Sequence, residues 1–417
     1  MYKKYKVQIN NSLIYTLSTI ISKAIPFFLL PIFTSYLSKK DYGTLGLIAS
    51  IYAIVNIYVG LRPSLFLIVK GPQLDKDEIS KYIFNIFIVS IYTFLLVILI
   101  LLMVGYYFFN NLELYIFAII GFLALFSVFN EILETIFQIE KKAYYYGIYQ
   151  LSKTLLGTGL ALLFIISFNM GWEGKYFADI IVVLSFSIFS ILYLNNQNYI
   201  TKQYDIIKQI ELIKYLFPLS FHVLGLVMMS SIDRIFLSNM LGLESVGLYS
   251  VAYTIGALVG IIHDALLKVW SPEFYKRIKN ANSEMKIKLL KFQYLYIIGS
   301  FLIFGIFVLV APYIFDLMIN SKFHEAYNIV PIIALGLAFE SLRKLFISYH
   351  YNLGKNTRIA IMTLSAGMIN AILNYYLIPI YGMYGAAYAT LLAYIIIFIL
   401  TIIDLNKIEQ IHWRFRK

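Results

Sequence analysis

Six basic residues lie within otherwise apolar stretches of this chain: Lys23, Arg62, Lys153, Arg234, Arg343 and Lys344. A charge among hydrocarbon is costly, so it normally faces a watery passage or a partner rather than lipid. Cations in a low-dielectric setting bind phosphoryl oxygens strongly, which suits an anionic substrate, phosphate or diphosphate above all. Ser12, Thr16, Thr19 and Lys23 fall at i, i+4, i+7 and i+11 and share one helix face. Pro26 and Pro31 follow, so this stretch reads as a bent helix lining a polar passage, with a Lys paired for packing as the alternative. Ser231, Arg234 and Ser238 make a second polar stripe, while Asp233 points about 100° away, on the face of His222 and Met229. Asp233 and Arg234 read either as a cavity pair or as an interfacial pair at the headgroups. Glu340 precedes Lys344 by four residues, the favourable spacing for a helix ion pair, with Arg343 adjacent. Gly256, Gly260 and Asp264 share a face that lets a neighbouring helix approach beside an acid. Glu131 and Glu134 form an i, i+3 pair, and for Arg62 and Lys153 snorkelling towards the cytoplasmic interface is an alternative to facing a cavity.

Several chemistries are excluded by what these residues are not. With no cysteine there is no disulfide, thiolate metal site or thiol catalysis. Gly354-Lys355 lacks the upstream glycine of a phosphate-binding loop, which argues against ATP hydrolysis. The five His (222, 263, 324, 350 and 412) show no ligand spacing, so no metal site is expected. The longest external connection, 314–327, is short for the extracytoplasmic domain of a membrane glycosyltransferase. No catalytic residue and no cofactor is expected.

The elements that must position these residues are membrane helices. The 417 residues are 60% hydrophobic with a mean hydropathy of +0.78, too apolar for a soluble globule. Apolar blocks predict twelve spans: 12–37, 43–69, 82–107, 113–138, 144–168, 177–195, 215–239, 246–268, 290–313, 328–350, 358–379 and 383–404. With the N-terminus inside, the connections divide their Lys and Arg 24 to 4 in favour of the inner side. That places both termini in the cytoplasm and turns the net charge of +12 into an orientation signal, not a nucleic-acid one. Trp172, Trp270 and Trp413 fall at expected interfaces. The stretch SPEFYKRIKNANSEMKIKLLK reads as a cytoplasmic surface helix with a solvated basic face. DYGTLGLIASIYAIV (41–55) aligns with SVGLYSVAYTIGALV (245–259), pairing Gly43 with Gly247 and Ala53 with Ala257. Six spans separate the copies, so the expected fold is all-α: two parallel six-helix bundles around a central cavity. The expected division is 1–194 and 215–417, with 195–214 as a polar cytoplasmic linker.

SLIYTLSTIISKAIPFFLLPIFTSYLSKKDYGTLGL, DRIFLSNMLGLESVGLYSVAYTI and NYYLIPIYGMYGAAYAT together resemble the polysaccharide transporter family. These are the O-antigen and capsule repeat-unit flippases of the multidrug/oligosaccharidyl-lipid/polysaccharide exporter superfamily. The resemblance covers essentially the whole chain, and twelve spans argue against the fourteen-span lipid II flippases. It implies a V-shaped pair of bundles around an often cationic cavity, and an undecaprenyl-diphosphate-linked oligosaccharide moved from inner to outer leaflet by alternating access. By position, Lys23 and Arg234 are most like the family's cavity cations, with Arg62, Lys153 and Lys344 as further candidates. Coupling to protons or sodium would need an intramembrane acid, for which Asp264, Glu340 and Asp233 are the candidates, unless nearby cations make them structural. Implied partners are the polyprenyl-diphosphate-linked oligosaccharide, membrane lipids and polysaccharide polymerases, in a bacterial or archaeal cytoplasmic membrane, with no nucleic acid. A cation-coupled multidrug exporter, which would favour an acid-rich cavity, is the rival; a membrane polymerase or ligase is a third reading.

Overall fold

The computed structural model describes the backbone of residues 2–109, 112–278 and 283–409; the side chains of residues 2–10, 12, 23, 269, 272, 283, 286 and 409 lie outside the described set. Every regular element among the described residues is helical. The first half holds α1 (Tyr2–Phe28), α2 (Leu30–Tyr36), α3 (Lys39–Tyr58), α4 (Ser64–Lys70), α5 (Lys76–Phe108), α6 (Leu114–Ile139), α7 (Ala143–Leu162) and α8 (Gly171–Asn196). The second holds α9 (Ile206–Met240), α10 (Leu243–Ile278), α11 (Ser283–Met318), α12 (Val330–Asn352), α13 (Asn356–Tyr381) and α14 (Met383–Glu409).

Among the described residues, ten segments are long and apolar enough to cross a membrane. The broken pair α3–α4 and the charged α12 complete the twelve expected, and the protein is an all-α integral membrane protein. Leu95, Leu96, Leu99 and Met103 of α5 are each more than half exposed, an apolar stripe that only a bilayer would cover. Local chemistry sets several ends. Ser38 caps α3 in a capping box, its Oγ accepting from Asp41 N at 3.0 Å while Ser38 N donates to Asp41 Oδ2 at 3.0 Å. Asp75 caps α5 by accepting from Glu78 N at 2.8 Å. The first span is interrupted at Leu29, between the prolines that sequence reading singled out.

The chain forms two compact units, residues 1–220 and 221–417, and the division falls inside α9 two residues after Pro218. In the first unit α6 packs on α3, α4, α5, α7 and α8; in the second α12 packs on α10, α11, α13 and α14. Each is therefore the central helix of its own unit, as the repeat linking the starts of α3 and α10 requires.

Three expectations change. The span 43–69 is not one helix: Gly60, Leu61 and Arg62 all have positive φ (75°, 56° and 59°), and Pro63 follows. Proline disfavours a right-handed helical conformation at the residue before it, so the chain breaks there and restarts as α4. Of 195–214, only residues 197–205 lie outside helix, and the start of α9 is docked on the first unit. There the buried Asn85 uses its whole amide: Oδ1 accepts from Asp205 N (3.0 Å) and Gln209 Nε2 (2.9 Å), and Nδ2 donates to the Lys81 and Gln203 carbonyls (2.9 and 3.0 Å). Finally, SPEFYKRIKNANSEMKIKLLK is no separate surface helix. Its described residues extend α10 and begin α11, supported by the i, i+4 pairs Arg277–Glu273 (2.6 Å) and Lys288–Glu284 (2.7 Å), with 279–282 outside the described residues. The Arg277 hydrogen bond holds the Glu273 carboxyl below the ordinary carboxylate range.

Candidate substrate and ion-coupling sites

In the first unit the polar chemistry gathers at the helix break. Opening the helix frees backbone donors that would be costly in hydrocarbon. Thr93 of α5 accepts from Gly60 N at 3.0 Å, and Glu131 of α6 accepts from Ser64 N at 3.3 Å and from the Ser64 hydroxyl. Gly60 is required twice over, for its φ of 75° and because a Cβ would sit 2.8 Å from both Ser90 Oγ and Val128 Cγ2. Arg62 Nε lies 3.7 Å from the same Glu131 carboxylate. One turn along α6, Glu134 pairs with Lys153 of α7, whose ammonium also sits 5.5 Å above the Tyr149 ring. Thus Arg62 and Lys153, expected as cavity cations or snorkelling residues, each meet an acid of α6.

In the second unit an acid and a base adjacent in sequence part company. Asp233 has no exposed surface. Its Oδ2 accepts from the Tyr249 hydroxyl and Thr390 Oγ1, each at 2.7 Å, and Oδ1 accepts from Asn374 Nδ2 at 2.7 Å. With its amide nitrogen turned towards Asp233, Asn370 adds a donor 3.2 Å from Oδ1 while its oxygen accepts from Thr390 N at 3.3 Å. Hydrogen bonds to a charged group contribute about 1.5–3 kcal/mol each, so several together offset a desolvation cost of several kcal/mol. The Asn374 Oδ1 beside this carboxylate is buried without a hydrogen-bond partner. The carboxylate, this orphaned oxygen and Thr390 Oγ1 are hard oxygen donors of the kind a small cation prefers. No group of three or more His, Cys, Asp or Glu that could hold a metal occurs among the described residues.

Arg234 goes another way. Its Nε donates to Ser250 Oγ at 3.1 Å and its Nη1 to the Ser230 carbonyl at 2.8 Å, and the guanidinium lies 4.7 Å from the Tyr253 ring and 5.7 Å from the Tyr249 ring. It makes no ion pair among the described residues, and its Nη2 has no hydrogen-bond partner there. Asp233 and Arg234 therefore do not pair with each other, and each is held by its own set of partners.

The other expected pairs also rearrange. Glu340 pairs with Arg343, not Lys344, through two bonds of 2.6 and 2.7 Å that match the guanidinium fork to both carboxylate oxygens. Lys344 reaches α10 instead and meets Asp264 at 2.7 Å. Of the expected close-approach face, Gly256 packs against Ile333 and Ala334 of α12, whereas Gly260 has open space. The Lys23 side chain lies outside the described residues.

Sequence reading missed Tyr249, Asn370, Asn374 and Thr390. The signal was the i, i+4 pair Asn370–Asn374 in an apolar span, which puts two amides on one face. Their approach to Asp233 depends on glycines: a Cβ on Gly225 of α9 would lie 2.5 Å from the Thr363 carbonyl of α13, and one on Gly367 would lie 2.8 Å from the Gly225 carbonyl.

Twelve membrane segments in two units define a multi-pass membrane fold, and comparison places it. Over 95% of this chain and 99% of the other, it superposes on an inward-facing multidrug resistance MATE family transporter of the MOP superfamily with a TM-score of 0.69 at 15% identity. The lipid II flippase MurJ, in an inward closed conformation, gives a TM-score of 0.71 at 16% identity over 94% of this chain and 87% of that one. The model of the polysaccharide biosynthesis protein family matches residues 9–278, and the chain belongs to that family. It is 24% identical over 283 residues to the Lsg locus putative protein 1 of Haemophilus influenzae, a match covering 64% of this chain and 66% of that protein. An uncharacterized membrane protein of the same organism is 22% identical over 291 residues, covering 67% of this chain and 68% of its own length.

Proposed function

We propose that the protein is a flippase that carries an undecaprenyl-diphosphate-linked oligosaccharide from the inner to the outer leaflet of the cytoplasmic membrane, for surface polysaccharide synthesis. The observation that carries this reading is Arg234. Arg62, Lys153, Arg343 and Lys344 each face a carboxylate, while Arg234 is held by two hydrogen bonds and two aromatic rings, with no hydrogen bond on its Nη2 among the described residues. A guanidinium so placed binds a phosphoryl oxygen without first breaking an ion pair. Membership of a polysaccharide biosynthesis family supports a saccharide-bearing cargo. Lys23 is the second proposed cation, by its place in the first span.

Coupling belongs at Asp233. It has no cationic partner within ion-pair distance among the described residues, whereas Glu340 and Asp264 are each committed to a base. A sodium ion or a proton would neutralise a carboxylate already surrounded by oxygen donors. Alternating access would then expose the cargo site to one leaflet at a time, with both termini cytoplasmic. The test is deletion of the gene in its host, followed by assay of surface polymer and of lipid-linked repeat units in the inner leaflet. Loss of polymer with repeat units trapped inside is expected. Unchanged polymer together with a gain in drug sensitivity would move the protein to the multidrug-export class.

A further inference from the structure

On the first unit, α7 and α8 enclose a groove of about 420 Å³ floored by Phe137 of α6. Tyr145 and Ile148 form one wall and Phe189 the other, and these three are 56%, 47% and 50% exposed, so the groove opens on the apolar surface that meets the bilayer. The Tyr149 hydroxyl is taken up by Asn130 (2.9 Å) and Ser190 (2.8 Å), which leaves the small Ser152 and Ser185 hydroxyls among a lining that is otherwise aromatic and aliphatic. Lys153, over the Tyr149 ring, is cancelled by Glu134, so net charge collects at the opposite end. Lys142, just before α7, has its ammonium 5.9 Å from the centre of the Tyr145 ring, a wall residue of the groove. Glu140 neutralises one cation, lying 2.9 Å from Lys142, and Lys141 is exposed with no side-chain partner among the described residues. The mouth therefore carries one net positive charge.

We propose that this groove is a binding site for an anionic glycerophospholipid, its phosphate at Lys141 and Lys142 and one acyl chain along the rings. From Lys142 to Ser152, where the lining ends, is ten residues, or roughly 15 Å of helix. That is half of a hydrocarbon core of roughly 30 Å, the depth of one acyl chain in its own leaflet. A long polyprenyl tail would outrun it. The turn carrying Lys141 and Lys142 is on the side expected to be cytoplasmic, where anionic headgroups attract juxtamembrane lysines.

The test is native mass spectrometry of the full-length protein titrated with phosphatidylglycerol and phosphatidylethanolamine of identical chains. The wild type should retain phosphatidylglycerol preferentially. Lys141→Gln should cut that preference about fivefold, the equivalent of about 1 kcal/mol for one lysine near the surface. Ile148→Trp, at a half-exposed position, should fill the groove and lower retention of both lipids; Phe189→Trp gives the same reading from the facing wall should Ile148→Trp not fold. Equal retention of the two lipids by the wild type, or full retention in both tryptophan variants, would overturn the site. So would displacement of phosphatidylglycerol by equimolar polyprenyl diphosphate, which would give the groove to the cargo.

Discussion

The two units treat buried charge in opposite ways. In the first, acids of α6 meet bases across helices, Glu131 with Arg62 and Glu134 with Lys153, at sites where the side chains keep 17–37% of their surface exposed. In the second, Asp233 is sealed among neutral donors, and its neighbour Arg234 is turned towards tyrosine rings. Cancelled charges stabilise a helix break, whereas the separated charges of the second unit are held by neutral partners. Under the proposed function, the ion pairs of the first unit do structural work, and coupling and anion binding fall to the second.

The largest effect should come from Asp233→Leu. It strands the Tyr249 hydroxyl, Thr390 and two amides in a site without water access, and a loss of about 3 kcal/mol or more is expected, read as thermal unfolding in detergent. Asp233→Asn keeps the Tyr249 and Thr390 bonds on its oxygen and needs the facing amides of Asn370 and Asn374 to turn over, so it should fold with less loss than Asp233→Leu and yet lose any dependence of transport on sodium or protons. Next comes Gly225→Ala, which drives a Cβ into the α13 backbone and should cost about 1–3 kcal/mol by the same measurement. Glu131→Ala should cost about 1–3 kcal/mol because it leaves the Ser64 amide unpaired at the break. The counterpart Arg62→Ala, at a side chain 37% exposed, should cost no more than about 1 kcal/mol. If Arg62→Ala instead destabilises as much as Glu131→Ala, the ion pair rather than the amide capture holds the break. Lys153→Ala sits at the small end, also within about 1 kcal/mol, since both partners are partly exposed.

How much of this was legible in the sequence follows from range of interaction. The spans were readable because each is a contiguous apolar run whose length the bilayer dictates, and the repeat was readable because it lies at matching places in two spans. The break at 59–63 left a signal, Gly60 and Pro63 bracketing Arg62 within one apolar block, but the block was read as one helix. Partner choice was not legible. Glu340 and Lys344 have good spacing along a helix, yet Lys344 meets Asp264, eighty residues away, because α10 packs against that face of α12. The shell of Asp233 is drawn from α9, α10, α13 and α14, and no local pattern unites those positions.

The most direct measurement is complementation of the deletion host with Arg234→Ala, Arg234→Lys and Arg62→Ala, following surface polymer and trapped lipid-linked repeat units together. If Arg234 binds the diphosphate, Arg234→Ala abolishes polymer and traps repeat units inside, Arg234→Lys restores part of the flux, and Arg62→Ala stays near wild type. Normal polymer from a well-expressed Arg234→Ala protein would contradict the assignment of the anion site to the second unit.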